Sequence, residues 1–137
     1  GCWGDPGYGP PFGSDPLAAP VACPMGAVGQ CAAEPTWLHA PTGERWAGLS
    51  VDYNIVLAWT DAGSLYGWST AGSVGAEPER FVGIEGHVIQ ALPHWDAICA
   101  VTSEGDVWCR GVNDVGQLGR GVLFSAADMA LVRVAFP

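Results

Sequence analysis

With 137 residues, the chain is long enough to bury one hydrophobic core. Seven Trp, 20 Gly and 11 Pro, with almost no run of helix-forming residues, favour a protein of strands and turns. Five Arg, no Lys and 14 Asp and Glu give a formal net charge of −9, which argues against nucleic-acid binding because phosphate backbones would be repelled. No apolar run is long enough to cross a bilayer, so we expect no membrane insertion.

The first 44 residues divide into two segments. Residues 1–22 are rich in turns and are interpreted as the end of a first structural repeat, or blade. Residues 23–44 interrupt the spacing of the later repeats and are predicted to be an inserted loop. The prolines leave little room there for a helix or a central strand, since they occur at positions 24, 35 and 41.

Three cysteines fall in this region. Cys23 and Cys31 flank a short loop, and a local disulfide is the simplest account of them. A metal site that also uses His39 is an alternative, although the paired C-x-x-C spacing of structural zinc is missing. Cys2 is left over, and its expected hairpin partner would precede Gly1. The insertion is therefore predicted to be stapled by a disulfide.

The rest of the chain is predicted to form a second blade, 45–84, and a third blade with the start of the next, 85–137. Each begins with an inner strand, followed by a turn, a hairpin and a tail. Runs such as IVLAW and AICAV, at 55–59 and 97–101, are apolar at successive positions. This pattern is expected when both faces of a sheet are covered by neighbours.

The hairpin of the third blade can be aligned by arithmetic. If Thr102 faces Asp106 across a Ser103-Glu104-Gly105 turn, then Cys99 faces Cys109, because the two positions of each pair add to the same number. Directly opposed residues in an antiparallel pair lie about 4.5 to 5.5 Å apart at Cα, within reach of a disulfide. Two buried free thiols are the alternative. A disulfide here favours an oxidising compartment and hence a secreted or cell-surface protein.

The same pattern repeats along the chain. Residues 55–68 align with residues 97–110 at an offset of 42, and the tail of the pattern recurs weakly within residues 1–13. Periods of about 40 to 50 residues built from short strands are typical of propeller blades. The chain therefore comprises about two and a half repeats, whereas a propeller usually needs at least four blades. We expect either part of a larger propeller or a ring completed by several chains.

The segments CAVTSEGDVWCRG and NDVGQLGRG, at 99–111 and 113–121, resemble the repeats of the regulator of chromosome condensation family, particularly its secreted bacterial members. The resemblance covers nearly the whole chain except the insertion. It implies an all-β fold, a β-propeller of seven four-stranded blades. It also implies a protein-recognition role, because a secreted bacterial propeller of this kind inhibits a β-lactamase through its rim.

The chain also departs from the pattern of that family. In the second blade Leu57 and Gly67 stand in place of the cysteine pair. In the third blade Arg110 occupies the position that holds Trp3 and Trp68 in the other repeats. These repeats are therefore divergent.

No residue pattern indicates catalysis. The three histidines, at positions 39, 87 and 94, are not spaced as a metal-binding pair, and no histidine is arranged in sequence to activate Ser103. The segment Gly116-Gln117-Leu118-Gly119 lacks the lysine of a phosphate-binding loop. We therefore expect a protein that is not an enzyme and binds no cofactor and no metal.

The candidate binding residues lie in two turns. They are expected on one rim of the propeller and comprise Asp52-Tyr53-Asn54 and His94-Trp95-Asp96, and Trp37 in the insertion is expected to extend this rim. Aromatic residues flanked by polar ones suit a protein contact. The net charge favours a partner with a basic surface. The alternatives are that the two aromatic rings pack beneath neighbouring loops, or that the chain is a carbohydrate-binding or surface-structural module.

Overall fold

A computed structural model describes the chain over residues 2–4, 21–22, 30–36, 39–52, 55–69, 78–121 and 124–135. The elements in these ranges are eleven β-strands. They are β1 (Cys2–Gly4), β2 (Val21–Ala22), β3 (Gln30–Thr36), β4 (Trp46–Asp52), β5 (Ile55–Thr60), β6 (Leu65–Ser69), β7 (Glu79–Arg80), β8 (Val88–His94), β9 (Ala97–Thr102), β10 (Val107–Asn113) and β11 (Phe124–Arg133). The described part of the chain contains no helix, which confirms the all-β prediction.

The strands form three antiparallel sheets. Two have four strands, in the orders β4-β5-β6-β7 and β11-β10-β9-β8, and the third has the order β1-β3-β2. Each four-stranded sheet therefore runs in chain order from an inner strand to an outer one. This is the strand order of a four-stranded blade.

The prediction of a loop throughout 23–44 is wrong at residues 30–36. These residues form β3, which is the central strand of its sheet. Its pairing with β1 corresponds to the pairing of β7 with β6 and of β11 with β10 in the other two sheets. Pro35 is tolerated because the ladder between β1 and β3 is irregular around it. Cys2 faces Thr36 whereas Gly4 faces Ala32, so a bulge in β3 lies between these two pairs. Residues in a bulge need not donate a ladder hydrogen bond. The predicted bridge between Cys23 and Cys31 lies outside the described residues.

The hairpin alignment is confirmed. Cys109 faces Cys99 and Val107 faces Val101, and the two cysteines form a disulfide with their Cα atoms 4.2 Å apart. The turn closes because Thr102 N donates to Asp106 O at 2.9 Å. Gly105 has a φ of 86°, a conformation that glycine adopts without steric cost.

The two four-stranded sheets pack face to face. Their shared core consists of Leu57, Leu65, Val88, Ala91, Ile98 and Ala100. Ser50 Oγ donates to Ala91 O at 2.6 Å and so joins the two inner strands directly. On the other face of the first of these sheets, Val56 and Ala58 are buried with Trp68. The apolar run at 55–59 thus buries both of its faces, as the sequence predicts.

The other face of the β8–β11 sheet is only partly covered. Leu92, Cys99, Cys109 and Val132 face one another in a row across its four strands. Leu92 at one end of the row is 56% exposed and Val132 at the other is 38% exposed. This apolar face is the surface that a further blade would cover in a propeller.

The segment after β10 turns around one buried amide. Asn113 is fully buried, and its Oδ1 accepts a hydrogen bond from Leu118 N at 2.8 Å, while the Leu118 side chain is buried as well. The loop is closed further by Gly119 N donating to Gly116 O at 3.0 Å. The Gly-Gln-Leu-Gly segment is therefore a structural turn, as expected, with Asn113 as its internal acceptor.

Loss of the disulfide should destabilise the hairpin. The bridge joins two residues that are 10 positions apart in sequence. For a loop of this length, we expect replacement of both Cys99 and Cys109 by Ala to lower the free energy of unfolding by about 2–3 kcal/mol. Urea denaturation with and without reductant measures this. Reductant should lower the free energy of unfolding of the wild type by about 2–3 kcal/mol more than that of the double variant, which keeps Cys23 and Cys31. An equal midpoint for oxidised and reduced wild type would contradict the prediction.

Substitution of Asn113 should be costly. Asn113→Ala leaves the buried Leu118 N–H without this acceptor, and we expect a loss of about 1–3 kcal/mol in the free energy of unfolding. Gln117→Ala is the matched control, because its side chain makes only exposed hydrogen bonds in the same loop. Chemical denaturation of both variants gives the comparison. Equal losses would show that the buried amide has no special role.

Candidate functional site

The two predicted turns meet at one end of the paired sheets. Asp52 closes β4 and faces Ile55, and His94 closes β8 and faces Ala97. Trp95 N donates to Asp52 Oδ2 at 3.2 Å, so the carboxylate of one blade holds the turn of the next. We call this end, defined by Asp52, His94, Trp95 and Asp96, the turn rim. Tyr53, Asn54 and Trp37 lie outside the described residues.

The Trp95 indole projects from the turn rim. It is 69% exposed, so it does not pack beneath neighbouring loops. Its φ of 21° is positive, a conformation that a bulky residue rarely adopts. The turn is held from two sides, by Asp52 and by Val112 N, which donates to Asp96 O at 3.0 Å. Backbone strain of this kind is typical of residues that are positioned for contact.

A cleft of about 360 Å³ opens beside Trp95 at the boundary between the two blades. Its lining residues are Ile55, Gly67, Trp68, Glu79, Phe81, Trp95, Ile98 and Arg110. The walls are therefore mainly apolar and aromatic, with one carboxylate and one guanidinium among them. Such a composition is typical of a ligand or side-chain pocket.

Arg110 is the charged group in the wall of this cleft. Its guanidinium lies 4.2 Å from the centre of the Phe81 ring, in a cation–π contact across the blade boundary. Partial burial lowers the pKa of Arg110, whereas the negative charge of Glu79 raises it. An arginine remains protonated at neutral pH even so. The cleft thus contains a fixed, partly desolvated positive charge beside an aromatic ring.

Carboxylates outnumber cations among the described residues at both ends of the sheets. Three arginines lie at the hairpin end, where Arg80 Nη2 donates to Ser64 Oγ at 3.2 Å, Arg133 pairs with Asp106, and Arg45 N donates to Asp61 at 2.9 Å. The carboxylates of that end are Glu44, Asp61, Glu85, Glu104 and Asp106. The turn rim carries Asp52 and Asp96, exposed Asp114 follows the strand end beside them, and Arg110 lies in the neighbouring cleft. The turn rim is therefore acidic, as is the hairpin end.

Of the eight residues that line the cleft, only Trp95 was predicted as a site residue. Phe81 and Glu79 come from a short outer strand and the segment after it, which carry no recognisable motif. Arg110 and Gly67 were visible only as departures from the tryptophan and the cysteine of the repeat. These two departures are the signals in the sequence that could have located the cleft.

Two other kinds of site are absent from the described part of the chain. Its residues include no group of three or more His, Cys, Asp or Glu side chains placed to hold a metal ion. Within the same residues, no helix has the length and hydropathy needed to span a bilayer. The metal alternative at Cys23 and Cys31 lies outside the residues whose side chains are described.

The comparisons with known proteins identify the fold. Neither a protein-family model nor a curated protein matches the sequence. Among solved structures, human WBSCR16 matches with a TM-score of 0.61 and 17% identity, over 77% of this chain and 30% of that chain. Prp20p from Saccharomyces cerevisiae matches with a TM-score of 0.64 and 13% identity, over 79% of this chain and 29% of that one. The structure of Kap60 bound to yeast RCC1 (Prp20) matches with a TM-score of 0.57 and 18% identity, over 75% and 25%.

Identities this low establish the fold alone. The four-stranded sheets of this chain are RCC1-like β-propeller blades, as the sequence resemblance implies, and the chain forms a partial propeller. The chain spans about 30% of the length of the first two matched structures.

The positive φ of Trp95 makes glycine the better replacement at this position. Glycine adopts this conformation freely, whereas alanine keeps the strain. We expect Trp95→Gly to be more stable than Trp95→Ala by about 0.5–1 kcal/mol, the reverse of the usual order of these residues. Chemical denaturation of the two variants decides this. An alanine variant as stable as the glycine variant would show that the turn is unstrained.

Proposed function

We propose that this chain is a non-enzymatic protein-recognition module of a secreted or cell-surface protein, and that it binds a partner with a basic surface through the turn rim. The observation that carries the proposal is the exposed indole of Trp95, fixed in a strained turn between Asp52 and Asp96. Exposed aromatic anchors on a rigid scaffold dominate the energy of many protein contacts. The inter-blade bond to Asp52 keeps the indole presented before a partner arrives, which lowers the entropy cost of binding.

Charge supports the choice of a basic partner. The turn rim carries more carboxylates than cations among its described residues, and the whole chain has a formal net charge of −9. An acidic surface speeds encounter with a basic one and repels acidic competitors. Nucleic acid is disfavoured as a partner for the same reason.

The matched structures belong to protein-binding propellers, and this is compatible with the proposal. Prp20p is described by its binding to Gsp1p and histones, and yeast RCC1 was solved bound to Kap60. The disulfide between Cys99 and Cys109 supports an oxidising compartment and hence a secreted or surface location.

A carbohydrate-binding module is the second candidate, because an exposed indole beside a cleft that contains a carboxylate and a guanidinium also suits stacking against a sugar ring. A glycan array tests this directly. Saccharide binding that is lost in Trp95→Ala and is insensitive to salt would favour this second function over the first.

The proposed function can be tested with arginine-rich and glutamate-rich peptides of equal length, titrated into isotopically labelled protein. The arginine-rich peptide should shift the NMR resonances of Asp52, Trp95 and Asp96, and its affinity should fall as salt is raised. We expect Asp52→Asn with Asp96→Asn to weaken binding about two- to tenfold at low salt, because two surface charges are removed.

The matched control is Glu85→Gln, which removes an exposed carboxylate from the segment that leads into β8 at the opposite end of the sheets. It removes one negative charge, as each of the two rim substitutions does, and should leave the affinity nearly unchanged. Equal effects of the rim and control substitutions, or equal binding of both peptides, would contradict recognition through the turn rim.

A further inference from the structure

Two departures from the repeat come together in the cleft beside Trp95. At the offset of 42 residues, Gly67 is equivalent to Cys109 and Arg110 is equivalent to Trp68. Gly67 and Arg110 lie in different blades and are 43 positions apart in sequence, yet both line the same cleft. Two departures from the repeat therefore meet at one place in the boundary between the blades.

The absence of a side chain at Gly67 allows Phe81 to lie against β6. A Cβ at this position would come within 2.6 Å of Phe81 Cε2 and 2.9 Å of Leu57 Cδ2, which is closer than real Cβ atoms approach. A cysteine like Cys109 would therefore push the phenyl ring away. Glycine at 67 thus creates the ring surface that Arg110 covers.

Arginine at 110 leaves space where the preceding repeat has a tryptophan. Trp68 is only 6% exposed and packs with Val56 and Ala58 on its own sheet. Arg110 is half-buried, and its guanidinium lies on the Phe81 ring. A planar guanidinium covers a smaller area than an indole and can be stacked upon, so the cleft stays open and has an aromatic-binding wall.

We propose that this cleft receives one aromatic side chain of the protein partner, with tyrosine as the best fit, and that the residues flanking this side chain in the partner are basic. The inference rests on the proposed function and names the group that enters the site. A volume of about 360 Å³ accommodates one ring but not a helix. The ring stacks between Trp95 and the guanidinium of Arg110, and a phenol hydroxyl donates to the carboxylate of Glu79.

The two opposite charges in the cleft favour an uncharged anchor. A carboxylate would pair with Arg110 but would meet Glu79 and the two Asp side chains of the turn rim. A lysine or arginine would pair with Glu79 but would meet the partly buried Arg110 at close range. An uncharged aromatic ring avoids both penalties and gains from stacking and from burial of its apolar area. Basic flanking residues then face the acidic rim outside.

The test uses nine-residue arginine-rich peptides that are identical except at the central position, which is Tyr, Ala, Glu or Arg. Affinities for wild-type protein are measured by calorimetry, and contact is located from the NMR resonances of Phe81 and Arg110. We expect the Tyr peptide to bind about tenfold more tightly than the Ala peptide, and the Glu and Arg peptides to bind no better than the Ala peptide.

Arg110→Trp is the informative variant, since Trp68 shows that the repeat accepts tryptophan there. It should fill the cleft and abolish the advantage of Tyr over Ala while retaining salt-sensitive binding of both. Arg110→Lys, which keeps the charge and loses the planar group, should reduce the advantage to about threefold. A dispersed NMR spectrum confirms that each variant is folded.

The possible failures are distinguishable. If the Tyr and Ala peptides bind wild type equally and both bindings weaken with salt, the cleft proposal is overturned and recognition through the turn rim stands. If none of the peptides shifts the rim resonances, the proposed function is overturned and the cleft proposal with it. An undiminished preference for Tyr in Arg110→Trp would also overturn the cleft proposal, because the ring would then bind elsewhere.

Discussion

The packing of β8 onto the preceding four-stranded sheet is the contact on which the rest of the structure depends. Leu57 and Leu65 of one blade meet Val88 and Ala91 of the next, and the Ser50 hydroxyl donates across the same boundary. A single twisted sheet cannot bury both of its apolar faces, so each blade is stabilised by its neighbour. This requirement explains why the apolar runs do not alternate with polar residues.

The same packing builds the candidate site. Because the inner strands β4 and β8 lie side by side, the turns that follow them meet at one end, and Asp52 can accept a hydrogen bond from the backbone of Trp95. The cleft lies at this boundary and depends on side chains from both blades. A recognition surface formed in this way is as rigid as the interface beneath it, since moving one wall requires the blades to separate.

The two divergent positions, Gly67 and Arg110, both lie at this boundary between the blades. Gly67 replaces a cysteine and so gives up a cross-strand bridge in the second blade, and Arg110 replaces a tryptophan that would have filled space. In a regular repeat, a cross-strand disulfide and a tryptophan that fills the boundary between blades would both stabilise the fold. Both departures lie at one place and leave an accessible cleft there at some cost in stability, an arrangement that is common where proteins bind ligands.

The sequence by itself determined the strand-rich fold, the repeat of 42 residues and the pairing of Cys99 with Cys109, because hairpin register and apolar patterning depend on residues that are near in the chain. It did not determine the strand at residues 30–36, where pairing with β1 and a bulge overrode the local signal of Pro35. Only the tertiary structure brought Phe81 and Glu79 to Arg110. Their proximity depends on how two blades pack, and no local pattern encodes contacts between residues that meet only across that boundary.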